Sequence, residues 1–250
     1  MNSRKHIAII GATSKIAEHC ARLWAEDQPV LLSLVGRNRD KLKRIVDDLR
    51  VRSPQSEISS FEADFVIPEK INAMVNHIGS IAPVDIVLIA HGYLPNQSEC
   101  QHDLKKAADV MFINSISPVL FAEAFARQME QNNQGTIALI GSVAGDRGRK
   151  SNYFYGAAKG LVTRYAQGLQ HHFTGKGVKV VLIKPGPTDT PMTANMKTAG
   201  IKLASAEQVA KDIVIAIEKG KPLVYTPKKW WLIMMIATHL PAFIFNRLNI

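Results

Sequence analysis

The residues Ser142, Tyr155 and Lys159 have the types and the spacing of a site for proton transfer. Tyr155 and Lys159 stand four positions apart, so on a helix their side chains share one face. A cation beside a tyrosine stabilises the phenolate, and we therefore expect Lys159 to lower the pKa of Tyr155 from its ordinary value of about 10. A phenol tuned in this way can protonate a carbonyl oxygen while hydride reaches the carbonyl carbon.

Ser142 follows the apolar run 136–141, which is typical of a buried strand. At the end of that strand its hydroxyl could hydrogen-bond the same carbonyl oxygen as Tyr155. The segment 225–229 repeats the spacing of tyrosine and lysine, but Pro227 would interrupt a helix there. Spacing alone is weak evidence for a catalytic site. The strands and helices around Ser142, Tyr155 and Lys159 must show whether the three residues can meet.

Apolar runs and helical patterns alternate along the chain. Predicted strands cover 5–11, 30–36, 57–62, 84–90, 136–141, 177–184 and 222–226. Three predicted helices cover 39–52, 68–80 and 107–131. Another precedes them and ends near residue 27, one contains Tyr155, and the last begins after Ser205. The alternation predicts an α/β fold, a Rossmann-like doubly wound parallel sheet of about seven strands with helices on both faces. We expect residues 1–227 to form one domain, with 187–204 as a flap over the substrate.

The composition is that of an ordinary globular protein. The chain has 250 residues, of which 46% are hydrophobic and 21% are charged. Its formal net charge of +10 indicates anionic partners, such as a phosphorylated cofactor, a nucleic acid or an anionic membrane surface. Nucleic acid is not expected, because the sequence has no basic helix, zinc pattern or interleaved basic and aromatic residues.

Cysteine usage and the amino terminus indicate the compartment. Cys20 and Cys100 are far apart and lack the spacing of metal ligands, so we expect a reducing compartment and no metal site. The first residues lead into an apolar strand without the hydrophobic stretch of a signal peptide. We therefore expect a cytoplasmic protein.

The first predicted strand, a glycine turn and the helix that follows form a candidate phosphate site. Free backbone N–H groups and the helix dipole at such a turn attract an anion. The residues expected to hold the phosphates are Gly11, Thr13, Ser14, Lys15 and Ile16. A full dinucleotide fingerprint would have further glycines where Lys15 and Ala17 stand. A plain strand-to-helix turn therefore remains an alternative.

Residues after the next strands indicate which dinucleotide binds. An acidic residue after the second strand would favour NAD, whereas Arg37 complements the extra phosphate of NADP, so NADP(H) is the expected cofactor. Asp64 could accept a hydrogen bond from the adenine amino group or cap the next helix. Ala90 and Gly92 follow the fourth strand, where a glycine lets the backbone approach the cofactor closely. His91 between them is expected to be structural.

These segments, in this order, resemble the short-chain dehydrogenase/reductase family over about residues 5–226. The resemblance rests on Gly11, Arg37, Asp64, Gly92, Asn114, Ser142, Tyr155, Lys159, Pro185 and Gly186. It implies that the protein is an oxidoreductase whose cofactor supplies hydride. It also implies a homodimer or homotetramer.

The resemblance assigns a role to each matching residue. Tyr155 would be the general acid, Ser142 would orient the substrate carbonyl, and Lys159 would bind the nicotinamide ribose and lower the pKa of Tyr155. Asn114 would hold a water that relays protons to Lys159. The residues implied at the nicotinamide end of the cofactor are Pro185, Gly186, Thr188 and Thr190.

Three motifs, at 11–17, 90–95 and 147–155, resemble a narrower subgroup. It includes the decaprenylphosphoryl-2-keto-pentose (erythro-pentofuranosid-2-ulose) reductases of cell-wall arabinose synthesis. The basic loop residues Arg147, Arg149 and Lys150 lie between Ser142 and Tyr155, and their charges would suit a phosphate or phosphodiester on the substrate. A solvated basic loop is the alternative.

Residues 228–250 form an apolar tail with basic flanks. The apolar run is shorter than the roughly 20 residues that span a bilayer, and Pro241 would break it. Lys228, Lys229 and Arg247 could meet anionic headgroups, which favours an interfacial anchor at the inner face of the cell membrane. The alternative is a tail buried against the domain or in an oligomer interface.

The sequence therefore predicts an NADPH-dependent reductase that converts a ketone to a secondary alcohol. The favoured substrate is a lipid- or polyprenyl-phosphate-linked keto-sugar at the membrane face. Another lipophilic ketone, such as a 3-ketoacyl thioester, is the second hypothesis. The third is a sensor or scaffold that binds NADP(H) without turnover.

Overall fold

A seven-stranded sheet forms the centre of the described structure, and every pair of neighbouring strands is parallel. The computed structural model describes residues 4–198 and 200–248. The strand order is β3-β2-β1-β4-β5-β6-β7. The strands are β1 Lys5–Ile10, β2 Val30–Gly36, β3 Glu57–Glu62, β4 Ile86–Ile89, β5 Gly135–Ile140, β6 Val178–Pro185 and β7 Leu223–Thr226. The predicted doubly wound α/β sheet of about seven strands is confirmed.

Helices cover both faces of this sheet. One face is packed by α1 Lys15–Asp27, α2 Arg39–Arg52 and α9 Ala206–Glu218. The other face is packed by α3 Pro68–Ile81, α6 Ser117–Asn132 and α7 Tyr153–His172. The remaining α-helices of the described residues are α4 Gln97–His102, α5 Leu104–Met111, α8 Ala194–Thr198, α10 Lys229–His239 and α11 Ala242–Phe245. Residue 199 of the predicted flap lies outside the described residues.

The central strands are apolar on both sides because both sides are covered. In β1, Ile7 and Ile9 belong to the core under α1, whereas Ala8 and Ile10 belong to the core under α6. All four are fully buried. A strand buried on both faces loses the alternation of polar and apolar residues, which is why these runs are continuously hydrophobic in the sequence.

The strand order reverses direction at β1, which lies between β2 and β4. Connections from this point leave over opposite faces of the sheet, so a crevice opens at the carboxyl ends of the strands. Gly11, Arg37 and Gly92 follow β1, β2 and β4 at this edge, and Ser142 follows β5. The fold therefore brings the predicted cofactor and catalytic residues to one side of the sheet.

The predicted helix over about 107–131 begins earlier and is interrupted. It runs from α5 through one π-helical turn, Phe112–Ile116, into α6. By length and composition, the run Leu104–Asn132 could cross a membrane, but more than half of its most apolar window is buried within the protein. It is therefore a core helix. Isolated π turns are common at functional sites, and this one contains the fully buried Asn114.

Candidate active site

The loop after β5 and the first turns of α7 bring Ser142, Tyr155 and Lys159 into one cleft. The helix approaches the loop closely at Gly156, where a β-carbon would lie 2.8 Å from the carbonyl oxygen of Ala144. Lys159 is buried, and its Nζ donates to the carbonyl oxygen of Ile140 at 2.9 Å. The same Nζ lies 5.9 Å from the centre of the Tyr155 ring. The arrangement joins a phenol, a hydroxyl and an ammonium group.

Burial dominates the acid–base properties of this site. It raises the pKa of Tyr155 to about 12, and a hydrogen bond with Ser142 opposes that rise. Burial also lowers the pKa of Lys159 to about 8. The lowered tyrosine pKa expected from the sequence is therefore not found, because the low-dielectric surroundings penalise the phenolate more than the neighbouring groups stabilise it.

Asn114 lies behind the cleft lining and supports it. Its Oδ1 accepts from the backbone N–H of Tyr93 at 2.9 Å, and its Nδ2 donates to the carbonyl oxygen of Val110 at 3.0 Å. A β-carbon on Gly92 would lie 2.6 Å from Asn114 Oδ1 and 3.6 Å from Lys159 Nζ. Asn114 thus fixes the loop after β4 next to Lys159. Its water-holding role stays a prediction.

The cleft has a volume of about 770 Å³ and is lined by nearly all of the predicted cofactor residues. These are Gly11, Thr13, Ser14, Lys15, Ile16, Arg37, Ala90, Gly92, Tyr155, Lys159, Pro185, Gly186, Thr188 and Thr190. Gly11 has a φ of +84°, and a β-carbon there would lie 2.6 Å from the backbone nitrogen of His91. The turn therefore requires glycine, and the residues present fit a bound dinucleotide.

The end of the cleft near β2 carries more positive charge than the sequence analysis identified. Arg37 is exposed at the end of β2, and Asn38 and Lys41 line the cleft beside it. Asn38 caps α2 by accepting from the backbone N–H of Lys41 at 2.8 Å. Lys15 is less available, because its Nζ lies 3.4 Å from the carboxylate of Glu18. Two cations at the strand end suit an additional phosphate.

Asp64 is not among the residues that line the cleft. Its Oδ1 accepts from the backbone N–H of Val66 at 2.8 Å, and its Oδ2 lies 3.4 Å from Lys70 Nζ. Both contacts lower the pKa of this carboxyl, with the backbone hydrogen bond the largest cause. Asp64 therefore stabilises the turn before α3, whose N-cap position is Ile67 without a side-chain capping bond, so the expected helix cap is not found. Binding of adenine by Asp64 stays a prediction.

His91 lines the cleft and is buried among aromatic rings. Its Nε2 lies 2.9 Å from the Ser117 hydroxyl, and its ring centre lies 4.7 Å from that of Phe65. Burial lowers its pKa to about 3, and nearby Lys159 and Arg37 contribute, so the imidazole is neutral. The serine partner stands 26 residues away in the sequence, which is why the sequence did not reveal it.

The basic loop divides between the cleft and the tail. Arg149 lines the cleft, whereas Lys150 is exposed and outside the lining. Arg147 donates from Nη1 to three carbonyl oxygens at the end of α10, those of Ala237 at 2.6 Å, Thr238 at 3.3 Å and Leu240 at 2.6 Å. Its guanidinium also stacks 3.8 Å from the centre of the Phe245 ring. The expectation that Arg147 binds a substrate phosphate is therefore corrected, because Arg147 is not among the residues that line the cleft and its Nη1 is engaged by tail carbonyls.

The loop after Ser142 is also joined to the last two strands. Asp146 forms a buried ion pair with Lys184, the residue before Pro185. Tyr225 of β7 donates its hydroxyl to Asp146 Oδ2 at 2.8 Å. Tyr225, which has Lys229 four positions later just as Tyr155 has Lys159, therefore has a structural role.

Asn152 is a cleft residue that the sequence analysis did not select. It stands at the N-cap position of α7, yet its side chain makes no capping hydrogen bond. An asparagine at the start of a helix is ordinarily interpreted as a cap. The residue type and position of Asn152 therefore gave no sign that it lines the cleft.

Solved structures of other proteins share this fold. A short-chain dehydrogenase from Sphingobium yanoikuyae, described in complex with NADPH, matches with a TM-score of 0.81 at 21% identity, covering 95% of this chain and 97% of that one. A bulky-bulky ketone specific alcohol dehydrogenase from Comamonas testosteroni matches with a TM-score of 0.80 at 20% identity, covering 98% and 95%. At these identities the likeness shows the fold.

Sequence comparison adds the family. An uncharacterized oxidoreductase of Mycobacterium tuberculosis (strain CDC 1551 / Oshkosh) is 28% identical over 249 residues, covering 97% of this chain and 96% of that protein. The family model described as short chain dehydrogenase matches residues 5–200, which contain Gly11, Ser142, Tyr155 and Lys159. The chain belongs to the short-chain dehydrogenase family.

Proposed function

We propose that the protein is an NADP(H)-dependent oxidoreductase that reduces a ketone to a secondary alcohol. The observation that carries the proposal is the position of Tyr155, whose hydroxyl interacts with Ser142 in a cleft that also holds the buried Lys159. Tyr155 donates its proton to the carbonyl oxygen, and Ser142 orients that oxygen by a hydrogen bond. The bound cofactor supplies hydride to the carbonyl carbon.

Lys159 and Asn114 support the proton donor. The charge of Lys159 favours the phenolate that Tyr155 becomes when it gives up its proton. Its ammonium group also binds the ribose hydroxyls at the nicotinamide end, and Asn114 holds a water that returns protons to it. With a pKa of about 12, Tyr155 holds its proton at neutral pH, as a proton donor to a carbonyl oxygen must.

The choice of NADP(H) is supported by charge. Arg37 and Lys41 both line the end of the cleft beyond β2, where the phosphate on the adenosine ribose would lie. The short-chain dehydrogenase from Sphingobium yanoikuyae is described in complex with NADPH, and the enzyme from Comamonas testosteroni is described as specific for bulky-bulky ketones. Both descriptions agree with the proposed cofactor and reaction.

The proposed substrate is a lipid- or polyprenyl-phosphate-linked keto-sugar at the inner face of the cell membrane. The support comes from α10, which has no polar face from Trp230 to Ala237. The tail leaves apolar side chains exposed at Trp231, Leu232, Ile233, Met235, Ile236, Phe243, Ile244 and Leu248. A helix that is apolar on all sides requires an apolar environment beyond its own domain. The flanking Lys228, Lys229 and Arg247 favour an anionic lipid surface as that environment.

Arg147 links this surface to the active site, because it joins the tail to the loop that carries Ser142. A substrate with a lipid anchor would thus meet the cleft while the tail lies in the interface. The narrower resemblance to decaprenylphosphoryl-2-keto-pentose reductases agrees with such a substrate. A homo-oligomer in which a second copy covers the tail is the competing arrangement.

The reaction is tested by the loss of NADPH absorbance with a panel of soluble and lipid-linked ketones. We expect Tyr155→Phe to lower kcat/KM by roughly 10²- to 10⁴-fold with unchanged affinity for NADPH. Tyr153→Phe is the matched control, because that hydroxyl contacts Gln101 at the surface. Full activity of Tyr155→Phe would exclude the proposed acid, and binding of NADPH without turnover of any ketone would favour a sensor.

The membrane contact is tested by sedimentation with anionic vesicles. The variant Leu232→Ser/Ile236→Ser/Phe243→Ser removes exposed apolar side chains without shortening the tail, and we expect it to stay in the supernatant while the wild type pellets. Val51→Ser/Leu104→Ser is the control, because both side chains are 82% exposed elsewhere on the surface. If the wild type does not pellet and the triple variant dissociates an oligomer, the tail is an interface between copies. Soluble ketones and 3-ketoacyl thioesters then become the candidate substrates.

A further inference from the structure

Two buried polar atoms of the segment between Ser142 and Tyr155 have no hydrogen-bond partner among the described residues. They are Nε of Arg149 and Oδ1 of Asn152. Both residues line the cleft that holds Ser142 and Tyr155. Buried donors and acceptors are ordinarily paired, because an unpaired group has lost its water without replacement. A donor and an acceptor left open on one cleft wall therefore point to a ligand.

Neither side chain forms a hydrogen bond with another of the described residues. Asn152 occupies the N-cap position of α7, where its side chain would ordinarily accept a backbone N–H, but it makes no such bond. The Arg149 side chain has no hydrogen bond or ion pair with any of the described residues, whereas Nη1 of Arg147 in the same loop donates to carbonyl oxygens of the tail. Neither atom is committed to a partner among the described residues, so a substrate in the cleft can supply one.

We propose that Arg149 and Asn152 form a substrate subsite for a hydroxylated ketone that carries a phosphate ester or phosphodiester. The Arg149 guanidinium binds an anionic phosphate oxygen, and Asn152 Oδ1 accepts a hydrogen bond from a substrate hydroxyl. This inference rests on the proposed function, because the subsite holds the ketone that Tyr155 protonates. Asn152 precedes Tyr155 by three residues, close to one helical turn, so the recognised hydroxyl lies near the carbonyl.

The phosphate half of the subsite is tested with dihydroxyacetone phosphate and dihydroxyacetone as substrates of the NADPH-saturated enzyme. Saturation keeps Arg37 occupied by the cofactor. We expect Arg149→Gln to lower kcat/KM for the phosphate ester about 10- to 100-fold and to leave dihydroxyacetone within about twofold. Lys150→Gln is the matched control, since it removes an adjacent exposed charge outside the cleft. If Arg149→Gln and Lys150→Gln changed kcat/KM equally for both ketones, Arg149 would not bind the substrate phosphate.

The hydroxyl half is tested by comparing dihydroxyacetone phosphate with acetol phosphate, which lacks one hydroxyl. We expect Asn152→Leu to reduce the preference for the hydroxylated ketone about tenfold, since a site built to bond a hydroxyl rejects an analogue without it. Asn152→Ser restores part of the preference because it retains an acceptor. Ser151→Ala is the control at an exposed neighbour. If Asn152→Leu kept the same preference for the hydroxylated ketone, the Asn152 amide would not bind the substrate hydroxyl.

A binding measurement separates failure of the subsite from failure of the reductase proposal. Glycerol 3-phosphate and the phosphodiester glycerophosphoglycerol are titrated into the NADP⁺-saturated protein by calorimetry. Binding that is lost in Arg149→Gln, without reduction of any ketone, would uphold the subsite and overturn the reductase. Ketone reduction with no dependence on Arg149 would uphold the reductase and overturn the subsite. Tighter binding of the phosphodiester would favour a phosphodiester substrate, the linkage of a lipid-linked sugar, over a free phosphate ester.

Discussion

The indole of Trp230, with its Nε1 nearest, fills the space beside Gly186 that a β-carbon would need. Gly186 lines the cleft where the nicotinamide end of the cofactor is proposed to lie. Arg147 holds the other end of α10 through the carbonyl oxygens of Ala237 and Leu240. The tail is therefore packed against two loops of the active site, and its removal would disturb the cleft as well as any membrane contact.

Gly186→Ala tests the packing of the tail against the cleft. The added methyl group displaces Trp230, and overpacking of this kind costs about 1–3 kcal/mol. We expect a lower free energy of unfolding in urea together with weaker NADPH binding. Gly168→Ala is the control, because nothing lies within 4 Å of a β-carbon there and helix propensity alone predicts a stabilisation of about 1 kcal/mol. Unchanged NADPH affinity in Gly186→Ala would separate the tail from the cofactor site.

Arg147→Met tests whether this arginine anchors the tail. The variant retains an apolar stem but loses the bonds to the carbonyl oxygens at the end of α10 and the stacking on Phe245. Hydrogen bonds to a charged group contribute about 1.5–3 kcal/mol, so we expect a loss of that order in unfolding free energy. Hydrogen exchange in α10 is expected to become faster. Lys150→Met should change neither quantity, and slow exchange in Arg147→Met would show that packing alone holds the helix.

The pH dependence of reduction follows from Lys159. Its pKa of about 8 means that the ammonium group loses its proton as the pH rises through that value. Reduction needs the charge that stabilises the Tyr155 phenolate, so we expect kcat/KM to be level below pH 8 and to fall above it. Tyr155 itself stays protonated over this range. A profile that is level up to pH 10 would contradict this role of Lys159.

The lowered pKa of Lys159 also predicts that the free energy of unfolding rises with pH, whereas the activity falls. Between pH 8 and 10.5 the unfolded chain binds the Lys159 proton and the folded chain does not, so the contribution to stability rises with pH. The full change is about 3 kcal/mol. Urea unfolding of the wild type and of Lys159→Met across this range isolates the effect. A difference that does not vary with pH would show that burial leaves the lysine pKa unchanged.

The cofactor preference is tested at Arg37 and Lys41. Both line the cleft, and an anionic phosphate gains charge-assisted hydrogen bonds from each. We expect Arg37→Gln to reduce the preference for NADPH over NADH about 10- to 100-fold, and Lys41→Gln to reduce it further. Arg39→Gln is the control, because Arg39 is exposed and outside the cleft lining. Equal losses for NADPH and NADH in Arg37→Gln would argue against recognition of the extra phosphate.

Local patterns in the sequence were sufficient for the sheet and for the relation of Tyr155 to Lys159. Strands buried on both faces appear as continuous apolar runs, and helices have a period that places residues four apart on one side. Both patterns follow from covalent geometry and from neighbours along the chain. The alternation of strands and helices, together with the right-handed crossover rule, then brought Gly11, Arg37, Gly92 and Ser142 to one edge.

Roles that depend on partners far away in the sequence required the tertiary structure. Arg147 belonged to a basic loop by sequence, and only the folded tail shows that its donors meet the carbonyl oxygens of Ala237 and Leu240. By sequence Asp64 could bind adenine or cap the next helix, and only the structure shows that it accepts from the backbone N–H of Val66 in the turn before α3. Hydrogen bonds of this kind are set by packing, which composition and periodicity do not encode locally.

The charge states of the active site were also decided by the fold. By sequence, the cation at Lys159 was expected to lower the pKa of Tyr155. In the structure Lys159 is buried and Tyr155 is half-buried, and this loss of water raises the pKa of the phenol and lowers that of the ammonium group. The sequence thus determined which groups are present and which elements carry them. Tertiary burial determined their protonation, because the cost of a charge depends on how much water the surrounding chain excludes.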